Sequence, residues 1–242
     1  MLIKDAKIDI QIYWYILMGK NKKLFEEGEA NEMFRRNLKS LESKSNDKVI
    51  DMLIDWLEPF KSEISNILEI GCGSGHRLNQ MSTDLMANGY GVEPSSEAVT
   101  YIDNQFPSLQ AKVGFGDNLP FKEKFDFVHL GFFLYLVDRE FYLRCISEAD
   151  RLVKPGGFLA IIDFDTPFPF SNDYHHLSGV FSHKKNNSDV FVASDLYSVI
   201  NKFHFSLSNF FFDKNINERV SLTLLYKETD TFGEKNKYSS FL

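Results

Sequence analysis

The chain has 242 residues, 43% of them hydrophobic, and no Pro/Gly/Ser-rich or low-complexity tract divides it, so one sizeable core is expected. A formal charge of −7 argues against an obligate nucleic-acid partner, whose phosphates require clustered Lys and Arg. Only two cysteines occur, Cys72 and Cys145, which excludes a disulfide framework or a cysteine-based zinc site and suits a reducing, cytoplasmic setting.

The N-terminal run Ile10–Met18 is apolar but too short to span a bilayer, and it follows Asp5 and Asp9. It is therefore expected to pack on the core or cover a site, with no stable membrane insertion. Lys20, Lys22, Lys23 and the pair Lys184-Lys185 are the densest basic points, and composition alone reads them as solvated surface. Two helical patterns follow, one around Leu24–Ser43 and one over Asp47–Phe60, where Val49, Ile50, Leu53, Ile54 and Leu57 recur at helical spacing. Asp47 is the expected cap of the second, and Pro59 its end.

Asn66-Ile-Leu-Glu-Ile-Gly-Cys-Gly-Ser-Gly-His-Arg-Leu78 reads as a buried strand entering a helix through three alternating glycines. Gly71, Gly73 and Gly75 permit backbone angles that side chains obstruct and let a ligand approach the main chain. Such a turn also occurs as a purely structural strand-to-helix junction. Glu69 is an acid within an apolar run, which calls for a partner. A helix over Arg77–Asn88 leads to the strand Tyr90–Glu93, which ends in a second carboxylate roughly 20 residues beyond the glycines, the distance at which an acid meets ribose hydroxyls in nucleotide-binding folds.

A helix over Ser95–Phe106, the segment Gly116-Asp-Asn-Leu-Pro-Phe121, a strand at Phe125–Gly131, a helix over Asp138–Val153 and a turn at Lys154-Pro-Gly-Gly157 into the strand Phe158–Phe164 complete an alternating β/α pattern. Alternation implies right-handed crossovers and a parallel sheet. Residues 165–190 read as an irregular loop long enough to be a lid or binding element. Ser194 is the expected cap of a helix over Asp195–Phe203, and Phe205–Asp213 and Val220–Glu228 read as a closing pair of strands.

This order of motifs, from Ile67 to about Phe164, resembles the class I S-adenosylmethionine-dependent methyltransferases. The resemblance implies an α/β, Rossmann-like doubly wound sheet of seven strands, mostly parallel with an antiparallel C-terminal strand, preceded by N-terminal helices. It divides the single domain into a helical cap (1–62), a cofactor-binding core (63–164), a substrate loop (165–192), a C-terminal helix and hairpin (193–230) and a tail (231–242). The cofactor implied is S-adenosylmethionine, with S-adenosylhomocysteine as its product. By resemblance, Glu69, Gly71, Cys72, Gly73 and Gly75 meet its methionine and ribose portions, Glu93 and Pro94 the ribose, Asp117, Asn118 and Leu119 the adenine, and Gly131 and Phe132 the region of the reactive methyl. Asp117 alone also suits a plain turn residue before Pro120.

An NAD(P)-binding oxidoreductase is the rival, but its G-x-G-x-x-G pattern wants a glycine where His76 stands. A binding module without turnover and an aminopropyl transferase are further alternatives; the latter lacks paired acids at Gly131-Phe-Phe-Leu134. Methyl transfer is an in-line displacement that needs alignment, plus a base when the acceptor is a weakly acidic hydroxyl. Tyr135 stands where many members of the resembled family carry a histidine, and His175 and His176 are the other catalytic candidates. Tyr174, His183 and Lys184 are expected at the acceptor, since rings, hydrogen bonds and positive charge suit a sugar or phosphate. Segment 173–198 loosely resembles bacterial methyltransferases of surface-polysaccharide gene clusters, which implies O-methylation of a small sugar, sugar nucleotide or phosphate-containing precursor. Asp163, Asp165, His175 and His176 match no metal motif, so no metal is expected.

Overall fold

A computed structural model describes residues 20–41 and 47–229. The apolar run Ile10–Met18 and the tail from residue 230 lie outside the described residues. Helix α1 (Lys20–Leu24) passes through a π-helical turn at Phe25–Glu29 into α2 (Ala30–Leu41), with the kink at Gly28. Helix α3 (Lys48–Leu57) starts on the Asp47 carboxylate, which accepts from Val49 N at 3.0 Å. It buries Val49, Ile50, Leu53, Ile54 and Leu57, the stripe that its periodicity requires.

Strand β1 (Asn66–Ile70) is followed by α4 (His76–Asp84), β2 (Asn88–Glu93), α5 (Ser96–Gln105), β3 (Gln110–Val113), β4 (Phe125–Gly131), α6 (Arg139–Leu152) and β5 (Val153–Phe164). Beyond these come β6 (Phe170–Asp173), β7 (Phe181–Lys184), the short α7 (Asp189–Val192), β8 (Tyr197–Ser206) and β9 (Arg219–Lys227). Seven strands form one sheet in the order β3-β2-β1-β4-β5-β9-β8, with β6 and β7 as a separate hairpin. The pairs from β3 to β5 are parallel, and β9 runs antiparallel to both β5 and β8.

Side chains alternate between two cores. Ile67, Phe127, Phe158, Ala160 and Ile162 face the α3 and α4 layer, whereas Leu68, Val128, Leu130, Leu159 and Ile161 face α6. Strand order reverses between β1 and β4, and in such sheets ligands lie beyond the carboxyl ends of the strands at that crevice.

Two local expectations are corrected. The helix expected over Asp195–Phe203 is instead most of β8, whose ladder with β9 runs from Tyr197↔Lys227 to Ser206↔Arg219, and of the strand expected over Phe205–Asp213 only Phe205 and Ser206 belong to it. Strand β9 is buried along most of its length, and its outer edge of N–H and C=O groups needs a partner more than the local helical spacing needs a helix. Asp195, at φ 59°, turns the chain from α7 into that strand. The other correction is in residues 165–190, where the hairpin β6–β7 supplies order that the irregular composition did not suggest. Among the described residues no helix is long and apolar enough to cross a membrane.

Candidate active site

The crevice at the strand reversal opens into a cavity of about 630 Å³. Its floor is the turn after β1, pinned by Gly71 N and Cys72 N donating to Val92 O at 2.8 and 3.2 Å. Gly75 caps α4 with φ 78°, and a Cβ there would lie 2.8 Å from Ile102 Cγ1, so this position accepts glycine for both backbone angle and space.

Glu93 ends β2 on the cavity wall, its carboxylate accepting from Gly73 N at 3.0 Å and Ser95 N at 3.1 Å. Burial pushes its pKa up to about 7, against the lowering effect of those two N–H donors. Glu69 is almost wholly buried yet lines the cavity, with one oxygen bonded to His129 Nδ1 at 3.0 Å and Oε2 without a partner. Asp117 lines the same cavity. It is held by Lys22 of α1, whose Nζ donates to Oδ1 and Oδ2 at 3.0 and 2.8 Å and lies over the Phe115 and Phe141 rings. The basic residue Lys22, read from composition as solvated surface, is therefore an ion-paired wall of the site.

Helix α1 is tied down beside it. Asp138 accepts from the backbone N–H groups of Asn21 and Lys22, and the buried Asn21 amide donates to Leu136 O and Phe181 O. Gly131 and Phe132 close the end of β4. Phe132 holds φ 61°, uncommon for a bulky residue, and its N–H donates to Ile162 O at 2.9 Å. The lining also includes apolar side chains, Phe25 and Met33 from the N-terminal helices, Phe205 near the end of β8 and Phe210 from the β8–β9 connection.

Glu69, Gly71, Cys72, Gly73, Glu93, Pro94, Asp117, Gly131 and Phe132 thus line one cavity. Gly75, Asn118 and Leu119 stand immediately behind it: Asn118 N donates to Phe115 O, and Leu119 N donates to the Glu148 carboxylate. The expected catalytic and acceptor residues do not line it. Tyr135 is buried against Phe132 and Phe164, and burial raises its pKa. Tyr174 packs on His176 and receives a hydrogen bond from Arg36. His183 pairs with Ser171 at 2.7 Å, and burial lowers its pKa. Lys184 donates to Asn217 O at 2.7 Å over the Phe164 ring, its pKa also lowered by burial. His175 likewise lies outside the lining residues.

Asp163 accepts from Phe164 N and Tyr135 N, while Asp165 pairs with Lys202 and His204. Among the described residues no group of three or more His, Cys, Asp or Glu is placed to hold a metal ion. Sequence reasoning missed Lys22, Asn21, Phe25, Met33, Phe205, Phe210 and His129. Only the unpartnered acid Glu69 signalled that something like His129 must exist.

Residues 68–161 match the family described as a methyltransferase domain. The chain is 30% identical over 102 residues, 42% of its own length, to the uncharacterized methyltransferase sll0829 of Synechocystis sp.. It spans about half the length of that curated relative. Among solved structures, the 1,6-didemethyltoxoflavin-N1-methyltransferase of Burkholderia thailandensis, bound to 1,6-didemethyltoxoflavin and S-adenosylhomocysteine, superposes with a TM-score of 0.66 at 9% identity, covering 87% of this chain and 91% of that one. CalS10, an amino pentose methyltransferase from Micromonospora echinaspora with bound S-adenosylmethionine, gives 0.57 at 12% identity, covering 82% and 95%. A methyltransferase from Clostridium acetobutylicum gives 0.55 at 14% identity, covering 82% and 98%. At these identities the likeness is one of fold.

Proposed function

We propose, from the premise that residues 68–161 are a methyltransferase domain in the class I fold, that the chain is an S-adenosylmethionine-dependent methyltransferase acting on a small molecule. The observation that carries this reading is the convergence of three carboxylates and a glycine turn on one cavity: Glu69, Glu93 and Asp117 around Gly71 and Gly73. Glu69 Oε2, buried and without a partner, suits the ammonium of the cofactor. Glu93 has two oxygens for two ribose hydroxyls. Asp117, held by the ammonium of Lys22, would take the exocyclic amino group of adenine beside Phe115. When bound, S-adenosylmethionine supplies a methyl group on a sulfonium, ready for in-line attack.

The protein's contribution is then alignment and exclusion of water. Phe132 and the apolar side chains of Phe25, Met33, Phe205 and Phe210 favour an acceptor that presents an apolar or planar face to the cavity. Alignment suffices for such a displacement, so transfer is expected to persist after chelation of divalent metals. Calorimetry tests the cofactor: binding of S-adenosylmethionine and S-adenosylhomocysteine but not NAD supports the reading, and the reverse pattern defeats it. Release of S-adenosylhomocysteine with a panel of planar heterocycles and sugar nucleotides tests turnover and separates an enzyme from a mere binding module.

A second reading, O-methylation of a sugar or phosphate-containing precursor of a surface polysaccharide, rests on Tyr174, His175, His176, His183 and Lys184 and on a fold neighbour that is an amino pentose methyltransferase. Those side chains lie outside the cavity lining. If they serve the acceptor, His175→Ala and His176→Ala lower turnover and leave cofactor affinity intact; wild-type turnover in both sets this reading aside.

A further inference from the structure

We infer that His129 is a positioning residue of the cofactor site, holding the Glu69 carboxylate so that one chosen oxygen meets the ammonium of the cofactor; this rests on the reading of Glu69 given above. The two residues are directly paired across the parallel ladder of β1 and β4, with Glu69 opposite His129. Both are essentially without solvent exposure, at 1% and 0%. His129 Nδ1 and Glu69 Oε1 are 3.0 Å apart, while Glu69 Oε2 and His129 Nε2 each have no hydrogen-bond partner.

Glu69 reaches the cavity and His129 does not, so the histidine acts only through the carboxylate. A carboxylate with free rotation presents either oxygen. With Oε1 held by the ring nitrogen, Oε2 is the one left for a ligand. Donation from Nδ1–H to Oε1 is the role that suits a carboxylate, which can only accept.

Gly131, two residues along β4 on the same face, leaves room for the oxygen that His129 holds. A Cβ there would stand 2.7 Å from Glu69 Oε1. One strand therefore supplies both the donor that fixes the carboxylate and the space that it occupies.

The test compares His129→Leu with His129→Asn, side chains of like shape that differ in the amide donor. Calorimetry measures two ligands: S-adenosylhomocysteine, which carries the ammonium, and methylthioadenosine, which lacks it. His129→Leu should weaken S-adenosylhomocysteine about tenfold or more, as for a lost buried hydrogen bond to a charged group, and leave methylthioadenosine within about twofold. His129→Asn should recover most of the loss. His129→Val, which likewise removes the donor, should show the same selective loss and stands in if the leucine variant does not fold. Equal weakening of both ligands, or unchanged S-adenosylhomocysteine affinity, overturns the inference while the cofactor reading stands. Wild-type protein that binds neither ligand overturns both.

Discussion

Replacing Glu93 by glutamine tests the site most directly, because its carboxylate combines a position at the end of β2 with a pKa near the working pH. Burial pushes this acid up to about 7, so near neutrality a sizeable fraction is protonated before any ligand arrives. Ribose hydroxyls that donate to it favour the ionised form and draw its pKa down on binding. Below pH 7 binding therefore releases a proton, and affinity for S-adenosylhomocysteine should rise with pH toward 7 and level off above it. The limiting slope is about tenfold, or roughly 1.4 kcal/mol, per pH unit. Glutamine keeps the shape and one acceptor but cannot ionise. At pH 8 the substitution should cost roughly 1.5–3 kcal/mol, a loss of about 10- to 150-fold, as expected for hydrogen bonds to a charged acceptor. It should also flatten the pH dependence that the wild type shows below 7. Calorimetry from pH 5.5 to 8.5, in two buffers of different ionisation enthalpy, reads both affinity and proton release. A glutamine variant that keeps the wild-type slope, or an affinity within twofold of wild type at pH 8, would refute the assignment of Glu93 to the ribose.

Gly75→Ala should lower stability by roughly 2–5 kcal/mol, from a left-handed backbone angle plus a methyl 2.8 Å from Ile102, and Tm by about 5–15 °C; a melting temperature within 2 °C of wild type would contradict the contact. Asp163 is buried and its pKa is pushed up to about 7 by burial, so its folded form binds a proton that the unfolded chain has already lost above the ordinary carboxylate range. The stability this contributes is full at low pH and disappears as pH rises through 7, so Asp163→Asn should gain on wild type in denaturant titrations between pH 5 and pH 8, by on the order of 1–3 kcal/mol; a constant difference over that range would refute it. Lys22→Met strands the Asp117 carboxylate among Phe115, Phe141 and Cys145 and should destabilise by about 1–2 kcal/mol, less than a fully buried pair because Lys22 keeps some contact with water. Chemical denaturation with no change in midpoint would show that Lys22 and Asp117 do not hold each other in solution.

Strands β1 to β5 and the acids that line the cavity were legible because their signals are local. Ile67–Ile70 followed by spaced glycines, an acid at the end of the next strand, and Asp117 before Leu-Pro each encode backbone direction or ligand chemistry within a few residues. The helix expected over Asp195–Phe203 failed for the opposite reason. Its cap and spacing were local, but the backbone there answers to the unsatisfied edge of β9, a strand that begins at Arg219. The histidines at 175 and 176 and Lys184 have suitable chemistry in sequence, yet the β6–β7 hairpin carries them outside the cavity lining.

By itself, the sequence determined the alternation of strands and helices from β1 to β5, the glycine turn and the acids at strand ends, since periodicity, capping and turn chemistry act between near neighbours. Only the tertiary structure decided which distant groups share a desolvated space. The partner that Glu69 had to have is His129, 60 positions away, brought opposite by the register of β1 and β4. Lys22 leaves the solvated surface because α1, tied to Asp138, sets its ammonium on Asp117, 95 positions along. The apolar part of the cavity lining joins Phe25 and Met33 to Phe205 and Phe210 from distant parts of the chain. Burial makes such pairings obligatory, because a charge removed from water must find a partner, but which partner it finds depends on the whole sheet closing in one register.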